Sequence, residues 1–298
     1  MDYQLLGTSD LQISRIGFGC MSLPKEAAEA ERLVQEAIDG GINYFDTADM
    51  YDHGVNETRV GQAVKSKRKQ AVLATKVGNQ WRADGSGTDW NPRKGYILSA
   101  AEESLRRLQT DCIDLYQLHG GTLEDPIDET IEAFELLKQQ GKIRWYGISS
   151  IRPNVIREWV SRSRLVSVMM QYSLLDRRPE ETCLPLLQAH NIGVLARGSV
   201  AGGLLVDKPP KAYLNYSTEQ VRQAASAVRS VAVPDRNAAQ TAIQFVLGQP
   251  AVRAAVVGIR TAAQLEEALK ALDRPGLQGS EREKLTGSIT MNRYEQHR

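Results

Sequence analysis

Residues 40–51 read Gly-Gly-Ile-Asn-Tyr-Phe-Asp-Thr-Ala-Asp-Met-Tyr, and they join a predicted helix to a predicted strand. The helical pattern of residues 27–39 ends at Gly40-Gly41, because glycine commonly terminates a helix. The apolar run from Ile42 to Asp46 then predicts a strand whose end carries polar residues that do not belong in an apolar core. The rest of the chain repeats this order of helix, apolar strand and polar strand end.

Apolar runs that predict strands recur along the whole chain. They are nearly continuous, as expected for parallel strands covered on both faces. The eight predicted strands are Ile16 to Cys20, Ile42 to Asp46, Ala71 to Lys76, Ile113 to His119, Ile143 to Ser149, Val166 to Gln171, Ile192 to Ala196 and Ala254 to Val257. The predicted helical segments are Ala27 to Asp39, Pro92 to Leu108, Pro126 to Gln140, Pro153 to Ser161, Pro179 to Ala189, Asp235 to Leu247 and Thr261 to Leu272. This alternation predicts an α/β fold, a single (β/α)8 TIM barrel domain over residues 1–298.

Three shorter features complete the predicted barrel. Residues 3–13 are predicted to form a β-hairpin around Gly7-Thr8-Ser9-Asp10, capping the barrel bottom. Asn91 and Pro92 are typical of an N-cap and a first helical residue. The longest irregular stretches, 78–91 and 198–216, both follow strands, and they are therefore expected at the C-terminal face, where barrel active sites form.

Composition narrows the class of protein. The 298 residues are 42% hydrophobic and carry a net charge of +1, so no nucleic acid or anionic membrane is expected as a partner. The N-terminus does not resemble a secretory signal, and no stretch approaches the roughly 18 apolar residues that span a bilayer. Cys20, Cys112 and Cys183 are too widely spaced to predict disulfides or a metal site, and a reducing cytoplasm is expected.

Four polar residues stand at or just beyond three strand ends, namely Asp46, Tyr51, Lys76 and His119. Each alone also fits a structural role: a helix cap or ion pair for the aspartate, rim packing for the tyrosine, solvent contact for the lysine and a core position for the histidine. In a barrel, however, neighbouring strand ends meet in one mouth. A free phenol has a pKa of about 10, and an adjacent ammonium lowers such a pKa. The combination therefore predicts a general-acid site suited to carbonyl reduction.

At these residues the chain resembles the aldo-keto reductase superfamily over essentially its whole length, as a bacterial member. The matching pieces are Arg15-Ile16-Gly17-Phe18-Gly19, residues 40–51, Ala74-Thr75-Lys76 and Leu118-His119, in the family's order and spacing. The resemblance places the catalytic tetrad on Asp46, Tyr51, Lys76 and His119. It implies hydride transfer from a nicotinamide to a carbonyl carbon, with Tyr51 protonating the oxygen.

The hydride requires a cofactor, because no side chain supplies one. The partial fingerprint Gly17-x-Gly19-x-x-Ser22 lacks a third glycine, so a Rossmann domain is not expected. The small residues of 198–204 and the helix start beside Arg260 are suited to phosphates instead. The resemblance implies NADPH, with Arg260 at the 2′-phosphate and a carboxamide clamp on Ser149 and Gln171. The full predicted set is Thr47, Ser149, Gln171, Arg197, Gly198, Ser199, Val200, Gly203, Leu204, Gly258, Arg260, Thr261, Gln264 and Glu267.

The chain departs from the family pattern at three positions. Ser150 stands where the family usually has an asparagine, and Ala268 where many members have one, which removes amide contacts. Arg197 stands where many members stack an aromatic ring on the nicotinamide. A guanidinium also stacks, but its charge disfavours the oxidised cofactor, so weaker binding of NADP+ is expected.

The substrate is predicted to be a small carbonyl compound. Trp81, Trp90 and His53 are candidate substrate residues because they are expected at the barrel mouth, although loop packing for the tryptophans and solvent exposure for the histidine stay open. The basic stretch 65–69 is expected to be a solvated helix end. Cys20 is expected to be a small buried hydrophobic residue.

Two alternatives remain open at this point. The β subunits of potassium channels look similar and act as NADPH-binding regulatory partners, although a long N-terminal extension like theirs is not seen here. A class I aldolase-like barrel with Lys76 as Schiff base would need no nicotinamide, and the Arg260 segment and the Tyr51 spacing argue against it. A monomer or weak homo-oligomer is expected.

Overall fold

The computed structural model describes residues 1–273 and 276–298, and within them eight parallel strands close into a barrel. The strands, in chain order, are β1 (Tyr3–Leu5), β2 (Gln12–Ser14), β3 (Ile16–Gly19), β4 (Tyr44–Asp46), β5 (Val72–Val77), β6 (Asn79–Trp81), β7 (Thr88–Trp90), β8 (Ile113–Leu118), β9 (Ile143–Ser149), β10 (Ser167–Gln171), β11 (Gly193–Arg197) and β12 (Val252–Gly258). The barrel order is β3-β4-β5-β8-β9-β10-β11-β12, and β12 pairs with β3 to close it. The predicted (β/α)8 fold is confirmed.

Helices cover the outside of the barrel. They are α1 (Ala27–Asp39), α2 (Val55–Val64), α3 (Lys94–Leu108), α4 (Ile127–Gln139), α5 (Pro153–Arg162), α6 (Cys183–Ala189), α7 (Thr218–Val231), α8 (Ala238–Leu247), α9 (Ala262–Leu269) and α10 (Gly279–Thr286). Within the part of the chain that the structure describes, none of these helices is long and apolar enough to cross a membrane.

The strands are apolar on both faces because each face packs against a different core. One cluster fills the barrel interior and includes Leu115, Leu195 and Ala254. A larger cluster lies between the strands and the helices. This double burial is the physical reason for the nearly continuous apolar runs.

The antiparallel hairpin of β1 and β2 closes the barrel bottom, as predicted. Its Leu6, Leu11 and Ile13 are at most 1% exposed and belong to the interior cluster. Gly7 has φ +61°, and a Cβ there would lie 2.2 Å from the Val166 carbonyl oxygen. Only glycine permits this approach of the hairpin to the strand ends.

Several local predictions were wrong. Residues 78–91 are not irregular, because β6 and β7 pair there as an antiparallel hairpin. Helix α3 begins at Lys94 with Arg93 as its N-cap, and Asn91 Oδ1 accepts from the Arg93 amide in the preceding turn. Pro92 therefore precedes the helix instead of opening it.

Helices α2, α7 and α10 were not predicted. In α2 the pattern is interrupted by Gly61, where a Cβ would lie 2.5 Å from the Leu108 carbonyl oxygen. The close packing of α2 on α3 thus requires the residue that weakens the helical pattern. Helix α7 had a usable signal, because Ser217 and Gln220 form a capping box at its start.

Candidate active site

Lys76 lies on β5 and is 1% exposed. Its ammonium donates to Asp46 Oδ1 on β4 over 2.5 Å and to the Thr47 carbonyl over 2.6 Å. Burial by itself lowers the pKa of Lys76, but the Asp46 carboxylate and the Tyr51 side chain outweigh it, so the net shift is upward. The lysine therefore stays charged at neutral pH, because an opposite charge in contact favours the ionised form.

The second oxygen of Asp46 is also occupied. Oδ2 accepts from Gln117 Nε2 on β8 over 3.2 Å and from the Tyr44 hydroxyl over 3.5 Å. A buried ion pair is tolerable only when its remaining hydrogen-bonding groups are satisfied, and these two donors satisfy the second oxygen of Asp46. Neither Tyr44 nor Gln117 was among the predicted site residues. Gln117 had a signal, because it alternates with the interior Leu115 and is therefore expected on the same face of the strand.

Tyr51 begins a tight turn that follows β4. Lys76 Nζ lies 5.1 Å from the centre of its ring, and the His119 ring meets it edge-on at 5.9 Å between centroids. The next three residues all have left-handed backbones, with φ of 50° at Asp52, 53° at His53 and 84° at Gly54. Such a run is costly for residues other than glycine and marks a segment held by its surroundings.

His119 directly follows β8 and completes the group. Its amide donates to the Val77 carbonyl over 2.8 Å. Burial lowers its pKa to about 3, helped by the positive charges of Lys76 and Arg197. The imidazole is therefore neutral at ordinary pH, and its Nδ1 is buried without a partner among the described residues. The structure thus brings all four predicted tetrad residues to one place.

The three predicted substrate residues divide into two arrangements. His53 stacks on Trp81 of the β6–β7 hairpin, with 3.7 Å between ring centroids and an interplanar angle of 23°. This contact ties the Tyr51 turn to the hairpin. Trp90 instead donates from Nε1 to Asp125 over 2.9 Å, and its ring packs so closely that Cβ atoms on Gly78 and Gly120 would lie 2.6 Å and 3.1 Å from it. The contacts of Trp90 are those of a packing residue.

The loop after β11 carries five of the predicted cofactor residues, Gly198, Ser199, Val200, Gly203 and Leu204. Gly198, Gly202 and Gly203 have φ of +77°, +64° and +98°. Ser199 Oγ is buried and has no hydrogen-bond partner in residues 1–273 and 276–298. Leu204 differs from the others, because it is 3% exposed and belongs to the outer core.

The loop after β12 lies beside that loop, because β11 and β12 are paired. Gly258 ends the strand, and Thr261 caps α9 by accepting from the Gln264 amide over 3.3 Å. Gln264 Oε1 in turn accepts from the Arg260 amide over 3.0 Å. The Arg260 side chain is exposed and has no acidic partner among the described residues. A free cation thus stands beside a helix N-terminus, which attracts anions.

Ser149, Gln171 and Arg197 end three adjacent strands. The Arg197 guanidinium donates to Gln171 Oε1, and Gln171 Nε2 donates to Asp176 over 2.9 Å and to Tyr213 over 3.0 Å. Arg197 is exposed at the mouth, close enough for its charge to act on His119. The amide of Gln171 is thereby held in one orientation.

Two other predicted cofactor residues make internal contacts. The Thr47 hydroxyl is fully buried and donates to Asn56 on α2 over 2.6 Å. Glu267 Oε1 accepts from Asn237 Nδ2 over 2.6 Å.

Ser150 is buried, and its hydroxyl accepts from the Arg152 amide over 3.2 Å. No group of three or more His, Cys, Asp or Glu suited to a metal ion occurs in the described ranges.

Comparisons with known proteins agree with this geometry. The profile of the aldo/keto reductase family matches residues 15–287. An oxidoreductase of Bacillus subtilis (strain 168), YqkF, is 51% identical, and the match covers 98% of each chain. The holo form of the aldo-keto reductase AKR11C1 from Bacillus halodurans superposes with a TM-score of 0.94 at 49% identity, covering 100% of this chain and 99% of that one. The glycerol dehydrogenase AKR11B4 from Gluconobacter oxydans superposes with a TM-score of 0.86 at 27% identity, covering 96% and 94%. The chain belongs to the aldo/keto reductase family and is an oxidoreductase.

Proposed function

We propose that this oxidoreductase reduces aldehydes or ketones to alcohols with NADPH, and that Tyr51 supplies the proton. The observation that carries the proposal is the buried Lys76–Asp46 ion pair beside Tyr51 and His119. An ion pair beside a phenol, with a neutral imidazole against the edge of that phenol, is arranged for proton donation at the barrel mouth.

The residues around the mouth fit a nicotinamide dinucleotide. The buried Ser199 hydroxyl, which has no partner among the described residues, and the glycine-rich loop after β11 suit a pyrophosphate. Arg260 suits the 2′-phosphate that distinguishes NADPH from NADH. Ser149 and Gln171 are assigned to the carboxamide and Arg197 to the nicotinamide ring. When bound, the cofactor supplies the hydride that the protein itself lacks.

Each member of the tetrad has a distinct role in this proposal. Tyr51 gives its hydroxyl proton to the carbonyl oxygen as negative charge develops there. Lys76 stabilises the phenolate that remains, and Asp46 keeps the lysine charged and oriented. His119 is neutral, so one ring nitrogen carries a hydrogen that is available to the carbonyl oxygen. Proton donation and charge stabilisation thus come from groups that are already positioned.

The test is the consumption of NADPH with 4-nitrobenzaldehyde, measured beside a parallel series with NADH. We expect turnover with NADPH, a much higher KM for NADH, and loss of turnover in Tyr51→Phe with unchanged NADPH affinity. Tight NADPH binding without turnover of any aldehyde or ketone would favour a regulatory subunit. Borohydride trapping of a carbonyl compound on Lys76 would favour the aldolase-like chemistry.

We also propose a domain extent, a compartment and an oligomeric state for the enzyme. We place the activity in one domain over residues 1–298, in the cytoplasm, as a monomer or weak homo-oligomer. The described cysteines, Cys20, Cys112 and Cys183, are all unpaired, which is compatible with a reducing compartment. Light scattering after size-exclusion chromatography measures the oligomeric state, and a stable high-order assembly would contradict this part of the proposal.

A further inference from the structure

Asp49 is a buried carboxyl group that the proposed mechanism does not use. It lies two residues before Tyr51 and is 7% exposed. Its Oδ2 accepts from the Tyr96 hydroxyl on α3 over a long 3.4 Å, and its Oδ1 is buried without a hydrogen-bond partner among the described residues. A carboxylate with an unpaired oxygen in the interior is costly, so this site favours the protonated acid.

The groups around Asp49 compensate a negative charge there only in part: the Met50 amide, the Arg107 charge and the Tyr96 hydroxyl favour the charged form, but burial outweighs them. The buried Glu57 of α2 is a second acid, and the Arg107 guanidinium of α3 is bonded to Glu57 Oε2 over 2.6 Å. Tyr96 of α3 and Tyr116 of β8 are neutral, and the Tyr116 hydroxyl is itself buried without a partner in the described ranges. Burial raises the pKa of Asp49 to about 7, and the charge of Glu57 adds to the shift.

The main chain connects Asp49 to two members of the tetrad. Its amide donates to the carbonyl of Lys76 over 3.2 Å, so Asp49 is attached to the strand residue that carries the ammonium. The Tyr51 amide donates to the Ala48 carbonyl over 3.1 Å, and the strained left-handed turn at 52–54 follows at once. A displacement of Asp49 is therefore passed to the position of Tyr51 relative to Lys76.

We propose that Asp49 is a positioning residue: its uncharged form keeps the 48–51 segment seated against β5, and its ionisation draws that segment toward water and displaces Tyr51. The inference rests on the proposed reductase function. The inference predicts that activity falls as pH rises, both in carbonyl reduction and in alcohol oxidation.

Rates measured in both directions of the reaction distinguish the ionisation of Asp49 from that of the proposed general acid, Tyr51. Loss of the Tyr51 proton slows carbonyl reduction and favours alcohol oxidation, whereas a displaced Tyr51 slows both. In the wild type we expect kcat to fall about tenfold as pH rises through 7 in both directions, since small misplacements of catalytic groups have effects of this size or larger. In Asp49→Asn this shared fall is absent, because the amide cannot ionise.

Two further variants sharpen the test. Tyr96→Phe removes a hydrogen bond that favours the charged form of Asp49, so the midpoint of the shared fall moves to higher pH. Asp52→Asn is the matched control, because it neutralises an exposed carboxylate directly after Tyr51, and it keeps the wild-type midpoint. A fall near pH 7 that persists in Asp49→Asn, or that appears in one direction only, overturns the inference.

Melting temperatures measured against pH give a readout that does not need catalysis. The folded chain keeps the Asp49 proton to about pH 7, whereas the unfolded chain releases it near the ordinary value of 3.8. Wild-type stability therefore falls as pH rises through this interval, and Asp49→Asn lacks that contribution. The difference in melting temperature in favour of Asp49→Asn should grow between pH 4 and pH 8. A constant difference overturns the inference whatever the activity, whereas a wild type without turnover contradicts the proposed function and the catalytic part of the inference with it.

Discussion

The two sides of the barrel mouth are built differently. On the side of β4, β5 and β8, Asp46 and Lys76 are almost fully buried and their polar groups are matched inside the protein. On the side of β11 and β12, Arg197 and Arg260 are exposed, and the buried Ser199 hydroxyl has no hydrogen-bond partner among the described residues. The Lys76–Asp46 pair is therefore satisfied before any ligand arrives, whereas the side proposed to bind the cofactor offers groups whose hydrogen bonds or charges a ligand would complete. Changes on the first side should therefore reduce kcat, and changes on the second should weaken binding.

The largest effect is expected from Lys76→Met. Removal of the ammonium leaves Tyr51 without its neighbouring charge, and we expect kcat to fall about a thousandfold, within the range for a general-acid site. NADPH affinity should change by less than about threefold, because Lys76 is not on the cofactor side. Steady-state kinetics and fluorescence titration with NADPH measure the two quantities.

Lys76→Met also leaves the Asp46 carboxyl buried without its ion-pair partner, which is destabilising. The double variant Asp46→Asn, Lys76→Met removes both charges and serves as the control for stability. It should melt at a higher temperature than Lys76→Met and remain equally inactive. Recovery of activity in the double variant would contradict the role assigned to the lysine.

Arg260→Ala should have the next largest effect, confined to binding. A charge-assisted hydrogen bond contributes about 1.5–3 kcal/mol, so the Kd for NADPH should rise about tenfold to a hundredfold. The Kd for NADH, which lacks the 2′-phosphate, is the internal control and should hardly change. An equal loss for both cofactors would remove the assignment of Arg260 to the 2′-phosphate.

The lowered pKa of His119 predicts that the free energy of unfolding depends on pH. Because its pKa is lowered to about 3 in the folded chain, the unfolded chain takes up a proton first as pH falls below about 6.5. Stability attributable to His119 is therefore lost on acidification, by about 2 kcal/mol at pH 5. Denaturant unfolding at pH 7 and pH 5 should show a smaller loss in His119→Asn than in the wild type. Equal losses would mean that the imidazole is protonated in the folded protein.

The smallest effect is expected from Arg197→Tyr. The guanidinium charge at the mouth disfavours the positively charged oxidised nicotinamide, so its removal should tighten NADP+ binding a few-fold. NADPH binding should change less, because the reduced ring is neutral. Fluorescence or calorimetric titration with both forms measures the ratio. Equal affinity of the variant and the parent for NADP+ would contradict this role.

The amino-acid sequence alone was sufficient to predict the barrel and the position of the four tetrad residues. Strands covered on both faces are mostly apolar, so runs such as residues 254–257 are visible without any structure. Strand ends meet at one face of a barrel, so the convergence of Asp46, Lys76 and His119 follows from topology. The roles of these residues came from the family resemblance and not from the pattern.

The tertiary structure decided the features that depend on packing across the chain. Gly61 weakens the pattern of α2, yet the contact with Leu108 requires it, so local propensity points away from the helix that forms. The hydrogen bonds from Gln117 to Asp46 and from Tyr96 to Asp49 join residues that are distant in sequence. Burial and partner geometry determine the charge state of a side chain, and neither is local. That is why the sequence located the proposed proton donor, whereas the folded chain decided which of its neighbours carry charge.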